Sequence, residues 1–498
     1  MSNKGAQSVD VLLLLEGTFP YVRGGVSAWV NHLIQGFPDL RFGVIFLGSA
    51  RKDYAGTPYA LPANVGYYAE YFLFDELTRT HGGSRRAVGA ADLDTVRTAH
   101  AQMKQCIAGA DAPLDLSHCG GNFGITHDAF LHERAVWDYL LECYAQIPDQ
   151  PPFVDYFWTV RGMHAPLWVL QAAVERAPRA RVLHSPSTGY AGYLAAVLSH
   201  RWERPLIISE HGIYTKERRL DMMRASWIHE DEEFLQRPGR VHHLRHLWID
   251  FFELLGRLSY RQAWRVVNLY AGMAAAQISD GADPGKLTTI PNGVAVERFV
   301  PCRRSFAERR NIVALVGRVV PIKDIKTFIR AAGHLRRGGP VPTFWIVGPT
   351  EEDEQYHEEC RVLVEHLGLA ERVRFLGFRS VAEVLAEVRL TVLSSISEAL
   401  PLSVLESFAA GVPVVTTDVG CCRELLYGAP DAPDARAAGR IVPIADPQAL
   451  AGAVETLLGD ESLWASCSGN AIARVEAIYR DTQMLAHYRR LYREALGS

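Results

Sequence analysis

Glu398 and Glu406 bracket the segment Glu398-Ala-Leu-Pro-Leu-Ser-Val-Leu-Glu406, and an apolar stretch with a glycine stop follows, Ser407-Phe-Ala-Ala-Gly411. A carboxylate accepts paired hydrogen bonds from neighbouring hydroxyls, and a helix starting near 400–403 offers N–H groups and the positive end of its dipole to a phosphate. A sugar nucleotide makes all of these demands together: acceptors for its ribose diol and its hexose, and donors for its diphosphate. Main-chain groups at Leu400 and Leu402 would serve the phosphates. By itself, a pair of Glu at this spacing also fits two solvated surface carboxylates.

Other residues with chemical potential stand where apolar runs end. The run 311–316 is followed by Gly317-Arg318-Val-Val-Pro-Ile-Lys323, and two cations there can neutralise a leaving diphosphate. The first apolar run, 11–15, leads into Glu16-Gly-Thr-Phe-Pro-Tyr-Val-Arg-Gly-Gly-Val26. Gly24 and Gly25, at the start of a helix, would let main chain approach a phosphate, although a tight loop with no ligand reads equally well. This turn lacks Gly-x-Gly-x-x-Gly and is followed by no Gly-Lys-Ser/Thr, which excludes a dinucleotide fingerprint and a Walker loop. His184 and His211 also end apolar runs, and Gly212 leaves room beside the second. His242-His243-x-x-His246 has ligand-like spacing, but no carboxylate or Cys completes a zinc set in sequence. Asp418-Val-Gly-Cys-Cys-Arg-Glu424 places Gly420 where main chain could near a ligand, while Cys421 and Cys422 read as ordinary thiols at a helix start.

The elements that must position these residues are α/β. Between ~300 and ~470, apolar strand-length runs alternate with amphipathic helices, the pattern of a parallel sheet covered on both faces. Helices are expected at 323–335, 353–367 and 402–410, and strands at 311–316, 343–347, 390–393 and 412–416. The first half repeats the theme, with strands at 11–15, 43–46, 181–183, 205–208 and 266–269. Residues 50–180 read as a mostly helical insertion with glycine-rich joints (His81-Gly-Gly-Ser84, Gly120-Gly121), and 217–263 as another long helical stretch. The expected division is 1–297, 298–471 and a C-terminal helix, 472–498, crossing back to the first domain. Ligands of open α/β sheets sit beyond the carboxyl ends of the strands, and the candidate residues fall there.

Length and composition bound the rest. A chain of 498 residues exceeds one ordinary core, and 48% hydrophobic with 22% charged residues suits a globular protein. A net charge of −4 gives no reason to expect nucleic acid. Eight Cys without a Cys-x-x-Cys pair point to a reducing compartment. The apolar N-terminal run is too short to span a bilayer and lacks a cleavage site. A cytoplasmic protein is expected, reaching the inner membrane only through partners, with the 50–180 insertion as the docking element.

Gly317-Arg-x4-Lys323, Glu398-x7-Glu406 with Ser407-Phe-Ala-Ala-Gly-Val-Pro-Val-Val, Ile290-Pro-Asn-Gly-Val and the N-terminal Gly-Gly turn together resemble glycosyltransferase family 4. The resemblance implies the GT-B fold, an α/β architecture of two doubly wound Rossmann-like domains facing a cleft. Glu16 to Trp29, Ser185-Pro-Ser-Thr-Gly-Tyr-Ala-Gly-Tyr193 and Glu210-His-Gly-Ile-Tyr-Thr-Lys-Glu-Arg218 are similar to the glycosyltransferases of bacterial Pel exopolysaccharide biosynthesis. On this resemblance Arg318 and Lys323 bind the diphosphate, Glu398 contacts the donor hexose and Glu406 holds the ribose. Gly24 and Gly25 form the phosphate- and acceptor-side loop. His211 lies near the sugar hydroxyls, and Tyr21, Arg23 and His184 stand on the acceptor side. It further implies retention at the anomeric carbon, no metal or other cofactor, a UDP-sugar donor (UDP-glucose or a UDP-N-acetylhexosamine), a polysaccharide acceptor, and inner-membrane synthesis and export proteins as partners. Three departures stand out: Asp324 follows Lys323 where the family often has Gly, Ala399-Leu400 follows Glu398 where it often has Phe-Gly, and Cys421-Cys422 replaces a common small pair. The rival readings are a GT-B sugar-nucleotide epimerase or glycosyl phosphorylase, and a non-catalytic nucleotide-sugar-binding module.

Overall fold

The computed structural model describes residues 8–75, 88–107, 125–147, 150–225, 243–335, 341–429, 432–433 and 436–497. The chain divides into two compact units, Met1–Thr289 with Arg489–Ser498, and Ile290–Tyr488.

The first unit is built on a seven-stranded parallel sheet: β1 (Val9–Glu16), β2 (Phe42–Gly48), β3 (Val65–Phe72), β4 (Ala180–Ser185), β5 (Leu206–Ser209), β6 (Arg265–Asn268) and β7 (Leu287–Thr289), in the order β3-β2-β1-β4-β5-β6-β7. Residues 11–15 are wholly buried, as a central strand covered on both faces requires. The expected helical insertion begins later than residue 50. Val65–Phe72 is a strand in register with β2, half-buried along most of its length, and its tyrosine-rich sequence suits a sheet edge. Helices Ala90–Ile107, His127–His132, Arg134–Ala145 and Phe153–Arg176 then form the insertion. The joints at 81–84 and 120–121 and Cys119 lie outside the described residues. The helical stretch expected at 217–263 contains helices Tyr214–Arg224 and His243–Gln262.

The second unit carries a six-stranded parallel sheet: β8 (Arg310–Val316), β9 (Thr343–Val347), β10 (Val373–Phe375), β11 (Val388–Leu393) and β12 (Val414–Thr417), then, after a short ribbon of β13 (Gly428–Ala429) and β14 (Ala432–Pro433), β15 (Gly439–Val442). The order is β10-β9-β8-β11-β12-β15. Both sheets reverse direction of winding beside their first strand, between β1 and β4 and between β8 and β11. Crevices that bind ligands in open α/β sheets form at such points.

Two expectations about boundaries shift. The units part at Thr289 and Ile290, ahead of 297/298. Val294 is held within the second unit, its N–H donating to the Tyr479 carbonyl at 2.9 Å and its carbonyl accepting from Asp481 N–H at 3.1 Å. The same bridge interrupts the helix expected at 472–498, where the chain forms Glu461–Ile478 and Asp481–Gly497. Within the first unit, Tyr492 is 1% exposed and packs edge-on against Phe37, 5.5 Å between ring centroids.

Candidate active site

In the second unit the loops after β8, β11 and β12 are tied together. Ile396 N–H donates to the Ile322 carbonyl at 2.9 Å, and Ser394 Oγ donates to the Lys323 carbonyl at 2.8 Å. Lys323 Nζ reaches Glu398 Oε1 at 2.5 Å, with Ser395 Oγ donating to the same oxygen at 2.6 Å. Side chains 75 residues apart in sequence thus meet at the winding reversal between β8 and β11. Ser395, wholly buried, had no sequence signal of its own beyond its place just past a strand.

Asp324, the departure from Gly, has a physical account. Its φ of 45° and ψ of 54° lie in the left-handed region, where Gly is favoured and Asp or Asn tolerated. Its carboxylate accepts from Thr327 N–H at 3.2 Å and caps helix Ile325–His334. The cap is why the helix starts at Ile325 and not at Lys323, leaving Lys323 on a short turn from which its side chain reaches Glu398.

The segment after Glu398 is anchored from the far side. Cys421 N–H donates to the Ala399 carbonyl at 3.0 Å, and Leu400 is 6% exposed. Gly420 has φ +52°, and a Cβ there would lie 2.3 Å from the Glu398 carbonyl oxygen and 2.5 Å from that of Ala399. Gly420 is therefore required by the approach of this loop. Cys421 and Cys422 are buried free thiols. Burial pushes both up, Cys422 to about 12, so neither is a thiolate near neutrality.

Helix Leu402–Ala409 starts after Pro401, so the N–H groups of Leu402 and Ser403 head its first turn. Glu406 lies inside this helix, half-buried. Burial pushes its carboxyl up to about 7, with the Arg298 charge pulling the other way. Among the described residues, no hydrogen bond reaches that carboxylate. Arg318 follows β8 as expected, but its guanidinium pairs with the exposed Glu352. The structure therefore joins Lys323 with Glu398 and turns Arg318 aside.

In the first unit a cavity of about 520 Å³ opens at the carboxyl ends of β1, β2, β4 and β5. His211 lines it, with its ring 4.4 Å from that of Trp29. Burial pushes His211 down to about 3, so the imidazole is neutral and exchanges hydrogen bonds, not protons, near pH 7. His184 does not line the cavity. It belongs to β4, is 0% exposed, and has both ring nitrogens engaged, by Tyr492 OH at 2.7 Å and Ser209 Oγ at 2.8 Å. The acceptor-side expectation for His184 is corrected accordingly: it ties the C-terminal helix to the sheet. Tyr21 is likewise used internally, its hydroxyl bonded to Glu70 and its ring 4.7 Å from Phe46. Arg23 is exposed, and a Cβ at Gly24 would meet nothing within 4 Å, so open space adjoins the Gly24–Gly25 turn. Of the suspected metal ligands, His242 lies outside the described residues.

Sequence reasoning missed Glu16, although it directly follows a buried strand, the placement that singled out Arg318. Its carboxylate accepts from Tyr214 OH at 2.8 Å and from Ala191 N–H at 3.2 Å.

Residues 9–285 match the family described as a domain of unknown function (DUF3492). The chain belongs to that family. Residues 302–474 match glycosyl transferases group 1, and the DUF3492 protein described here is a glycosyltransferase. It is 28% identical over 352 residues to a D-inositol 3-phosphate glycosyltransferase of Acidothermus cellulolyticus, covering 66% of this chain and 72% of the relative. It is 24% identical over 302 residues to an MMP alpha-(1->4)-mannosyltransferase of Mycolicibacterium hassiacum, covering 59% and 66%. Anabaena HepE, solved with UDP and glucose, superposes with a TM-score of 0.59 at 16% identity, over 97% of this chain and 99% of that one. Sucrose-phosphate synthase of Thermosynechococcus elongatus gives 0.57 at 16%, over 98% and 99%. At these identities the two structures speak for the fold, which is GT-B. Among the described residues no helix is long and apolar enough to cross a membrane.

Proposed function

We propose that this chain is a retaining, metal-independent glycosyltransferase that moves a hexose from a UDP-sugar, UDP-glucose or a UDP-N-acetylhexosamine, to a growing bacterial exopolysaccharide of the Pel type. The observation that carries the donor half is the convergence of Lys323, Glu398 and the first turn of helix Leu402–Ala409 beyond β8 and β11, with Glu406 close by in sequence and short of hydrogen-bond donors. HepE was solved with UDP and with UDP-glucose, which supports a UDP-sugar donor. The resemblance of the N-terminal motifs to those of the Pel enzymes supports the acceptor class.

In this reading the Lys323 ammonium has three protons; one is held by Glu398, and the others face the diphosphate. Arg318 swings from Glu352 to add a second cation. Glu406 accepts the two ribose hydroxyls and Glu398 orients the hexose. The bond from the anomeric carbon to the β-phosphate oxygen breaks, and its electron pair leaves with UDP. The acceptor hydroxyl oxygen bonds the same carbon on the same face, and its proton passes to the departing phosphate. The cations do the charge work that a metal would otherwise do. Membrane synthesis and export proteins are the partners this assigns, with the protein in the cytoplasm.

The test is UDP release across a panel of UDP-sugars, with Ala variants at 318, 323, 398 and 406 and product stereochemistry by NMR. Turnover that survives Arg318→Ala and Glu398→Ala together ends the assignment. Isomerised UDP-sugar without UDP release would instead favour the epimerase.

A further inference from the structure

The first unit's cavity has a chemical bias that the donor reading does not use. Glu16 lies at its floor, at the winding reversal beside β1, and its carboxylate takes the main-chain N–H groups of Tyr190 and Ala191. The start of helix Tyr190–Trp202, an inviting phosphate site, is therefore already occupied by an acidic side chain. The arrangement is built in: a Cβ at Gly189 would lie 2.3 Å from the Tyr214 ring and 2.6 Å from Glu16 Oε2. A second acid, Glu217, lines the same space, with its Oε1 2.3 Å from where a Cβ on Gly212 would stand. Among the described residues the lining holds one cation, Arg218, and Asp221 engages it at 3.3 Å.

Among the described residues, two hydroxyls in this lining lack hydrogen-bond partners. Tyr190 is 4% exposed, yet its OH has no hydrogen-bond partner, and Thr18 Oγ1 is in the same state. Buried hydroxyls left unpaired are uncommon and need an explanation. Around them stand aromatic side chains, Tyr54, Phe74 and Trp248 among them. The volume falls in the range of small-molecule sites.

We infer that this cavity binds the acceptor as an uncharged saccharide and discriminates against phosphorylated sugars and polyols. The inference rests on the glycosyltransferase reading and names the acceptor class for it. Sugar hydroxyls donate to Glu16 and Glu217 and accept from Tyr190 and Thr18, while C–H faces of the pyranose lie on the aromatic rings. A phosphate monoester would meet two acids whose burial favours the protonated form, one engaged cation and a helix start already capped, so no unspent positive charge or N–H group answers its own charge.

The experiment is saturation-transfer NMR and calorimetry on the full chain with neutral disaccharides of glucose and of N-acetylhexosamines, and with inositol 3-phosphate and glucose 6-phosphate. At least one neutral disaccharide is expected to bind at least tenfold more tightly than either phosphate ester. Tyr190→Phe, which removes one oxygen, weakens that binding about fivefold or more; Glu16→Gln is the second variant, and UDP affinity measured alongside is unchanged in Tyr190→Phe. Tighter binding of a phosphate ester, no binding of any neutral saccharide, or wild-type saccharide affinity in both variants overturns the inference. Absence of UDP binding in the wild-type chain would count against the donor reading instead, so the two failures are separable.

Discussion

Glu406 is the residue whose titration carries most information. The unfolded chain releases its proton near 4.5 and the folded chain near 7, so between those values the folded state holds the extra proton. Stability therefore falls as pH rises through this window, by on the order of 3 kcal/mol once Glu406 is fully ionised. Glu406→Gln is expected to raise the unfolding temperature at pH 8 and leave it unchanged at pH 4, read by calorimetry. On the proposed donor reading the same variant should weaken UDP binding about tenfold or more, since a charged acceptor is lost to the ribose. Because the diol prefers the carboxylate, UDP affinity in the wild type should drop as pH falls from 8 to 6, with proton release on binding near pH 7. Titration calorimetry in buffers of different ionisation heat would show that release. Lys323→Ala should lower turnover about 10²-fold.

At the scale of elements, turns decide where the charged groups point. Asp324 combines a left-handed backbone with a helix cap, so Asp324→Gly trades one effect for the other and is expected to change stability by less than about 1 kcal/mol. Asp324→Val loses the cap and puts a branched side chain in the left-handed region, at a cost of about 2 kcal/mol or more. Urea denaturation of the two variants separates the contributions. Gly420→Ala drives a methyl into two carbonyl oxygens at 2.3 and 2.5 Å, so the Glu398 loop must shift. UDP release should fall by an order of magnitude or more, because small displacements of positioning groups are costly. Wild-type rates in Gly420→Ala would show that this loop does not position the sugar.

At the scale of the whole molecule, the last residues are part of the first unit. Arg489 pairs with Asp39 at 2.9 Å, and Tyr492 bonds His184. Tyr492→Phe removes the hydroxyl that bonds the fully buried His184 imidazole and should cost about 1–3 kcal/mol by denaturant titration. Removing 489–498 strips Tyr492 from Phe37 and Phe42 as well, and should unfold or aggregate the first unit.

Alternation of apolar runs and amphipathic helices sufficed to read two parallel sheets, because a stretch of strand buried on both faces has to be apolar, and residues 11–15 of β1 and 312–315 of β8 are. The Glu398 and Glu406 spacing and the Arg318 and Lys323 spacing were visible for a related reason: each lies just past such a run. One edge strand escaped. Val65–Phe72 is half-buried, and its tyrosines carry no clean period. Which cation meets which acid also escaped, since the Lys323 bond to Glu398 and the Arg318 bond to Glu352 depend on strand order, and strand order is set by long-range packing. The role of His184 reversed for the same cause: local sequence places a histidine near a strand end, but only the return of the C-terminal helix supplies the tyrosine that occupies it.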